Sequence, residues 1–114
     1  MVKDIISNWH EKHGETSNYP EKTIEEIATN CCSLTDAWFS RFKPKDKISF
    51  ELLFFDKEGV VVDTMHGITK ENLPQFMFDT IMSQNGKYSK LVLNSFIFTD
   101  GIKSTNYVGE LEIS

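Results

Sequence analysis

Around Pro44 the spacing of apolar residues changes from helical to alternating, and this change constrains the fold more than any other feature of the chain. Before it, Ile24, Ile27, Ala28, Cys31, Leu34 or Thr35, Trp38 and Phe42 recur at the period of one helix face. After it, Ile48, Phe50, Leu52 and Phe54 alternate with Ser49, Glu51, Leu53 and Phe55, the period of a strand. A helix stripe and a strand face of this kind must bury each other. The expected long helix spans about 21–43. Pro20 sits near its start, and Glu21, Glu25 and Glu26 stand at the positive end of its dipole. Arg41 and Lys43 lie in the last turn before Pro44 stops it.

The rest of the chain follows the same logic. Val2, Ile5, Ile6 and Trp9 form one stripe of a short first helix, ended by Gly14, and residues 15–20 read as a loop. Asp56-Lys57-Glu58-Gly59 is a turn, Val60 to Met65 a second strand, and Gly67 is expected to break it. Leu73, Phe76, Met77 and Ile81 give a third helix at about 73–84, starting near Leu73 because Pro74 is tolerated only in a first turn. Asn85-Gly86 ends it. Tyr88 to Phe98 is a third strand, Asp100-Gly101 a second hairpin turn, and residues 104–113 a fourth strand. The order is α-α-β-β-α-β-β, with no internal repeat and no linker. It predicts a single α+β domain over residues 1–114, with an antiparallel sheet packed against helices on one face. Its 114 residues suffice for one core. Leu53 and Phe55 share a face with Ser49 and Glu51, so both sides of that strand's second half are apolar. This requires either a second covering layer, the first helix, or a contact surface.

Seventeen acids and twelve bases give a net charge of −5. Residues 46–114 hold ten acids and six bases, so most of the negative charge belongs to the sheet half. An acidic surface repels phosphate backbones and attracts basic proteins, which disfavours nucleic acid as a partner. Lys43, Lys45 and Lys47, broken by Pro44 and Asp46, read as a solvated loop. The longest apolar run, Leu52 to Phe55, is far short of the roughly 20 residues of a membrane helix. The start of the chain shows no apolar leader pattern. Cys31 and Cys32 are adjacent, where a disulfide is strained. The expectation is a reduced, cytoplasmic protein away from membranes.

Chemistry-bearing residues are few. His10 and His13 share a helix face, but a metal site needs at least a third ligand and none is evident. Asp63 and His66 have opposite parity in a strand, which argues against an acid–base pair. Cys31 lies on an apolar stripe, and no base is placed to activate either thiol. The six glycines are scattered, so no phosphate-binding loop is formed. No catalytic residue, cofactor or metal is expected. The remaining feature is a set of carboxylates beside aromatics: Glu51, Asp56, Glu58 and Asp63 of the first hairpin, Asp100, Glu110 and Glu112 of the second, with Leu53 and Phe55. Together they read as a surface for a basic protein.

Ile24-x-x-Ile27-Ala28 on a leading helix, the aromatic strand Phe50-Glu51-Leu52-Leu53-Phe54-Phe55-Asp56, and Asn85-Gly86-Lys87-Tyr88 before the last hairpin carry a resemblance. The chain resembles the small acidic immunity proteins of bacterial polymorphic-toxin and contact-dependent growth inhibition systems, over most of its length as architecture. The resemblance implies a cytoplasmic antidote that binds and blocks one toxin domain, often a nuclease with a basic active-site groove. Two other readings stand beside it. One is a small-molecule-binding domain or enzyme with a pocket between sheet and helices, lined by Trp38, Phe42, Phe76 and His66. The other is a phage-encoded inhibitor of a host defence protein. The edge strand at residues 104–113 also offers a route to a homodimer.

Overall fold

The computed structural model describes residues 2–14, 19–42, 49–68, 73–84 and 86–113, except for the side chains of 42, 68 and 97–99. Pro44, the Lys43, Lys45 and Lys47 patch, Ile48 and Asn85 lie outside the described residues, as do most of the expected loop at 15–20 and the Phe42 side chain. Two helices, α1 (Val2–His13) and α2 (Glu21–Phe42), precede strands β1 (Ser49–Phe55) and β2 (Val61–Ile68). Then come α3 (Leu73–Ser83), β3 (Lys90–Thr99) and β4 (Ile102–Glu112). The four strands form one antiparallel sheet in the order β2-β1-β3-β4. The fold is α+β, as the change of period predicts.

Alternation in β1 decides which sheet face is buried. Phe50, Leu52 and Phe54 are buried, while Ser49, Glu51, Leu53 and Phe55 are only half so. Full burial of a side chain such as Leu52 contributes about 2 kcal/mol. The buried face continues through Leu91 and Leu93 of β3 and Leu111 of β4. Against it packs α2, which meets β4, while α3 packs on α2 and reaches β1 through Phe76, 6.1 Å from Phe50. The α2 stripe is Ile24, Ile27, Ala28, Cys31, Leu34, Thr35 and Trp38, so Leu34 and Thr35 both face inward. Thr35 is tolerated there because its Oγ1 donates to the Cys31 carbonyl at 2.9 Å.

The first helix is not a second cover for the sheet. It packs on α2 and α3, with Ile5 and Trp9 buried and Trp9 edge-on to Phe78 at 6.4 Å. Leu53 and Phe55 therefore lie on a face that no described helix covers.

Three sequence expectations need correction. Gly67 does not break β2, which runs on to Ile68. It pairs with Phe50, and a Cβ at Gly67 would lie 2.6 Å from Phe50 Cζ. The missing side chain makes room for the aromatic ring rather than ending the strand. Phe76 stands at the margin of the α3 stripe, 41% exposed, with its ring edge-on to Phe50 of β1 at 6.1 Å. The buried stripe is Leu73, Met77, Phe78, Ile81 and Met82, because α1 covers the Phe78 side, where Trp9 meets Phe78. Strand β3 begins at Lys90 rather than Tyr88. Tyr88 precedes it as a buried ring stacked on Phe54, with centroids 4.5 Å apart.

The two hairpins differ in reach. Among the described residues, β1 pairs with β3 as far as Phe96, whereas β3 and β4 stay paired to Thr99 and Ile102. Among these residues, the end of the second hairpin is therefore a two-stranded ribbon.

Candidate functional site

The open face of the sheet is built in rows, because directly paired residues of antiparallel strands point the same way. Phe55, Lys90 and Glu112 make one row, and Thr64, Leu53, Val92 and Glu110 the next. His66, Glu51, Asn94 and Tyr107 make the third, and Ser49, Phe96 and Thr105 the fourth. Leu53 and Val92 form a half-buried apolar centre, with Phe55 on one side and Tyr107, 52% exposed, towards another.

Hydrogen bonds and ring contacts tie the rim of this face together. Glu51 meets His66 Nε2 at 3.0 Å through one carboxylate oxygen and accepts from Asn94 Nδ2 at 3.1 Å through the other. The His66 ring stacks on Phe96, with centroids 5.5 Å apart, and the Lys103 ammonium lies 3.8 Å from the Phe96 centroid. Phe96 is thus only 5% exposed although it stands on the open face. Tyr107 donates its hydroxyl to Glu110 at 2.9 Å, which holds its pKa above the usual phenol value. Lys90 reaches the other oxygen of Glu110 at 3.8 Å and lies over the Phe55 ring at 4.6 Å. An apolar centre inside a rim of organised polar groups is the anatomy of a protein interface.

Five of the nine residues expected in a binding surface meet here: Glu51, Leu53, Phe55, Glu110 and Glu112. The other four do not. Asp56 builds the β1–β2 turn, its Oδ1 accepting from the Glu58 and Val60 backbone N–H groups at 2.9 and 3.0 Å. Glu58 is exposed in that turn. Asp100, with φ +52°, lies in the β3–β4 turn at the opposite end of the sheet. Asp63 pairs with Phe54 and so lies on the helix side. It accepts from the Tyr88 hydroxyl and lies 3.3 Å from Lys87 Nζ. The Tyr88 bond, helped by Lys87, holds Asp63 below the ordinary carboxylate range, while burial and the Asp63 carboxylate push Tyr88 up. The parity argument separating Asp63 from His66 agrees with this placement. Lys90, Val92, Asn94, Phe96, Lys103 and Tyr107 belong to the face and were missed. Their signal was the alternation from Lys90 to Phe96, legible once β3 was placed beside β1.

Other candidate groups stay apart. Trp38 and Phe76 both meet the Phe50 ring, at 6.4 and 6.1 Å, whereas His66 is on the open sheet face and shares no pocket with them. A cavity of about 570 Å³ lies instead between α1 and α2, lined in part by Lys3, His10, Tyr19 and Glu25. His10 and His13 both flank the Trp9 ring, at 5.3 and 5.6 Å. Among the described residues, no three His, Cys, Asp or Glu side chains gather to hold a metal. Burial pushes the Cys31 and Cys32 thiols up, away from the reactive thiolate. No described helix is long and apolar enough to cross a membrane. Comparisons with protein-family models, curated proteins and solved structures return no match.

Proposed function

We propose that the protein is a binding protein without catalysis of its own, which neutralises a basic protein partner in the cytoplasm. The observation that carries this reading is the sheet face that no described helix covers, where Leu53, Phe55, Val92 and Tyr107 stay partly accessible inside a rim that includes Glu51, Glu110 and Glu112. Net charge of −5 adds attraction at a distance. The apolar centre would supply affinity, and the carboxylates would sit where the partner expects substrate phosphates. That the partner is a toxin domain, a nuclease above all, rests on the resemblance to immunity proteins.

The test is capture of a basic partner by the tagged chain from the lysate of its source, compared with Leu53→Arg and Phe55→Arg. A cognate partner should be held by the parent chain and bound about tenfold or more weakly by either variant. Co-expression of the parent chain, but not of Leu53→Arg, should protect cells from that partner if it is a toxin. Equal retention by both variants would remove the open face from the binding surface.

A further inference from the structure

A groove of about 420 Å³ runs between α2 and the free edge of β4. Its helix wall is Asn30, Ser33, Leu34 and Ala37, and its strand wall is the stretch from Val108 to Glu112. Helix and strand come close because Gly109 has no side chain: a Cβ there would lie 2.7 Å from Leu34 Cδ1. Small residues at 33, 37 and 109 leave the space beside this contact open.

The strand wall offers backbone hydrogen bonds. Ile113 N–H donates to the Ser89 carbonyl at 2.8 Å, on the β3 side. By the alternation of an antiparallel ladder, Leu111 also turns its backbone groups to β3, while Glu110 and Glu112 turn theirs to the free edge. Arg41 closes the edge further along, its Nη1 donating to the Tyr107 and Val108 carbonyls at 3.0 and 3.2 Å. The open stretch is therefore short, Gly109 to Glu112, and no described strand pairs with it. Among the described residues no basic side chain lines the groove, and Arg41 meets it only at its end, through the Val108 carbonyl. Glu112 makes no ion pair among the described residues, and Glu110 is only partly engaged by Lys90 and Tyr107.

We propose that this groove takes an extended segment of a partner protein, added as a fifth strand beside β4, in which apolar and cationic residues alternate. A strand in this place turns every second side chain towards Leu34, Val108 and Leu111, and the others towards Glu110 and Glu112. The first set must be apolar to fill the groove, and the second cationic to meet the carboxylates. A second copy of this chain fits poorly. Two-fold pairing centred on Glu110 or Leu111 sets glutamates directly opposite each other, which is destabilising. The groove is a different surface from the open face and shares only Glu110 and Glu112 with it, so either can fail alone.

The test is an NMR titration of the full chain with a capped peptide of alternating lysine and valine. Its control is the same peptide N-methylated at alternate residues, which keeps charge and apolarity but removes strand donors. Saturable shifts should fall on amides of residues 30–37 and 109–112, and the methylated peptide should bind about tenfold or more weakly. Ser33→Trp, filling the groove from an exposed position, and Glu112→Lys should each weaken binding by a similar factor with unchanged circular dichroism. Leu53→Arg should not. Absence of saturable shifts at millimolar peptide, equal binding of the methylated control, shifts centred on Leu53 and Phe55, or a dimer formed through residues 109–112 would each overturn the proposal.

Discussion

Leu52 and Phe54 point into the helix layer with no exposed surface, whereas Leu53 and Phe55, one residue along, lie half-buried on the open face. The residue types are the same and the backbone is shared. What differs is the layer each side chain meets. The inner pair is held by α2, α3 and the neighbouring strands, so it defines the fold. The outer pair meets only its cross-strand neighbours, so it is available to something else. Composition alone cannot separate the two roles, and strand parity can.

The largest expected effect tests that contrast directly. Leu52→Ala should lower unfolding free energy by about 3 kcal/mol in a denaturant titration, and Leu53→Ala by less than about 1 kcal/mol. Similar losses at both positions would mean that the outer face is covered in solution. Next is Gly67→Ala, which forces a methyl against the Phe50 ring and should cost about 2 kcal/mol. In a Phe50→Leu background that cost should shrink, because the clashing ring is gone. A constant cost would place the strain in the β2 backbone instead.

Ser95 is a fully buried polar residue on the inner face. It pairs with Phe50, and its hydroxyl finds no hydrogen-bond partner among the described residues. Ser95→Ala should therefore be neutral or raise stability by up to about 1 kcal/mol. A loss would reveal a partner for that hydroxyl. The smallest effect is a pH dependence at the β2 edge. Asp63 is more acidic in the folded chain than its ordinary value of 3.8. Its contribution is present above that pH and is lost as pH falls through the folded value. Tyr88 ionises less readily than its ordinary value of 10.0, so its contribution is present below that pH and is lost as pH rises. Asp63→Asn should flatten the acid limb of the stability profile, and Tyr88→Phe the alkaline one. Unchanged limbs would assign the pH dependence to other groups.

Much of this architecture was legible from periodicity. The α2 stripe and the β1 alternation each depend on residues close in sequence, and both are observed from Ile24 to Trp38 and from Ser49 to Phe55. The misreadings came where a distant element decides. Gly67 looks like a breaker until Phe50 is seen opposite it across the sheet. Phe76 and Phe78 both flank Met77, and it is α1, whose Trp9 meets Phe78, that buries Phe78 while Phe76 stays part-exposed beside Phe50. The acidic residues of the hairpins looked like one set because they are close in the chain, but strand parity and turn placement scatter Asp56, Asp63 and Asp100. The groove beside β4 was hidden for the same reason. Gly109, which lets α2 approach, reads in sequence as an ordinary strand glycine.

The unequal reach of the two hairpins sets an order of opening. Among the described residues, amides of the ribbon beyond Phe96 are held by a single neighbouring strand, while those of Leu91 to Leu93 lie between two. Two-stranded ribbons are marginal on their own. In deuterated buffer, residues 97–104 should exchange by local fraying, and β1 with the centre of β3 only when the whole domain opens. The chain thus carries at one end a segment that can change shape without the core having to respond.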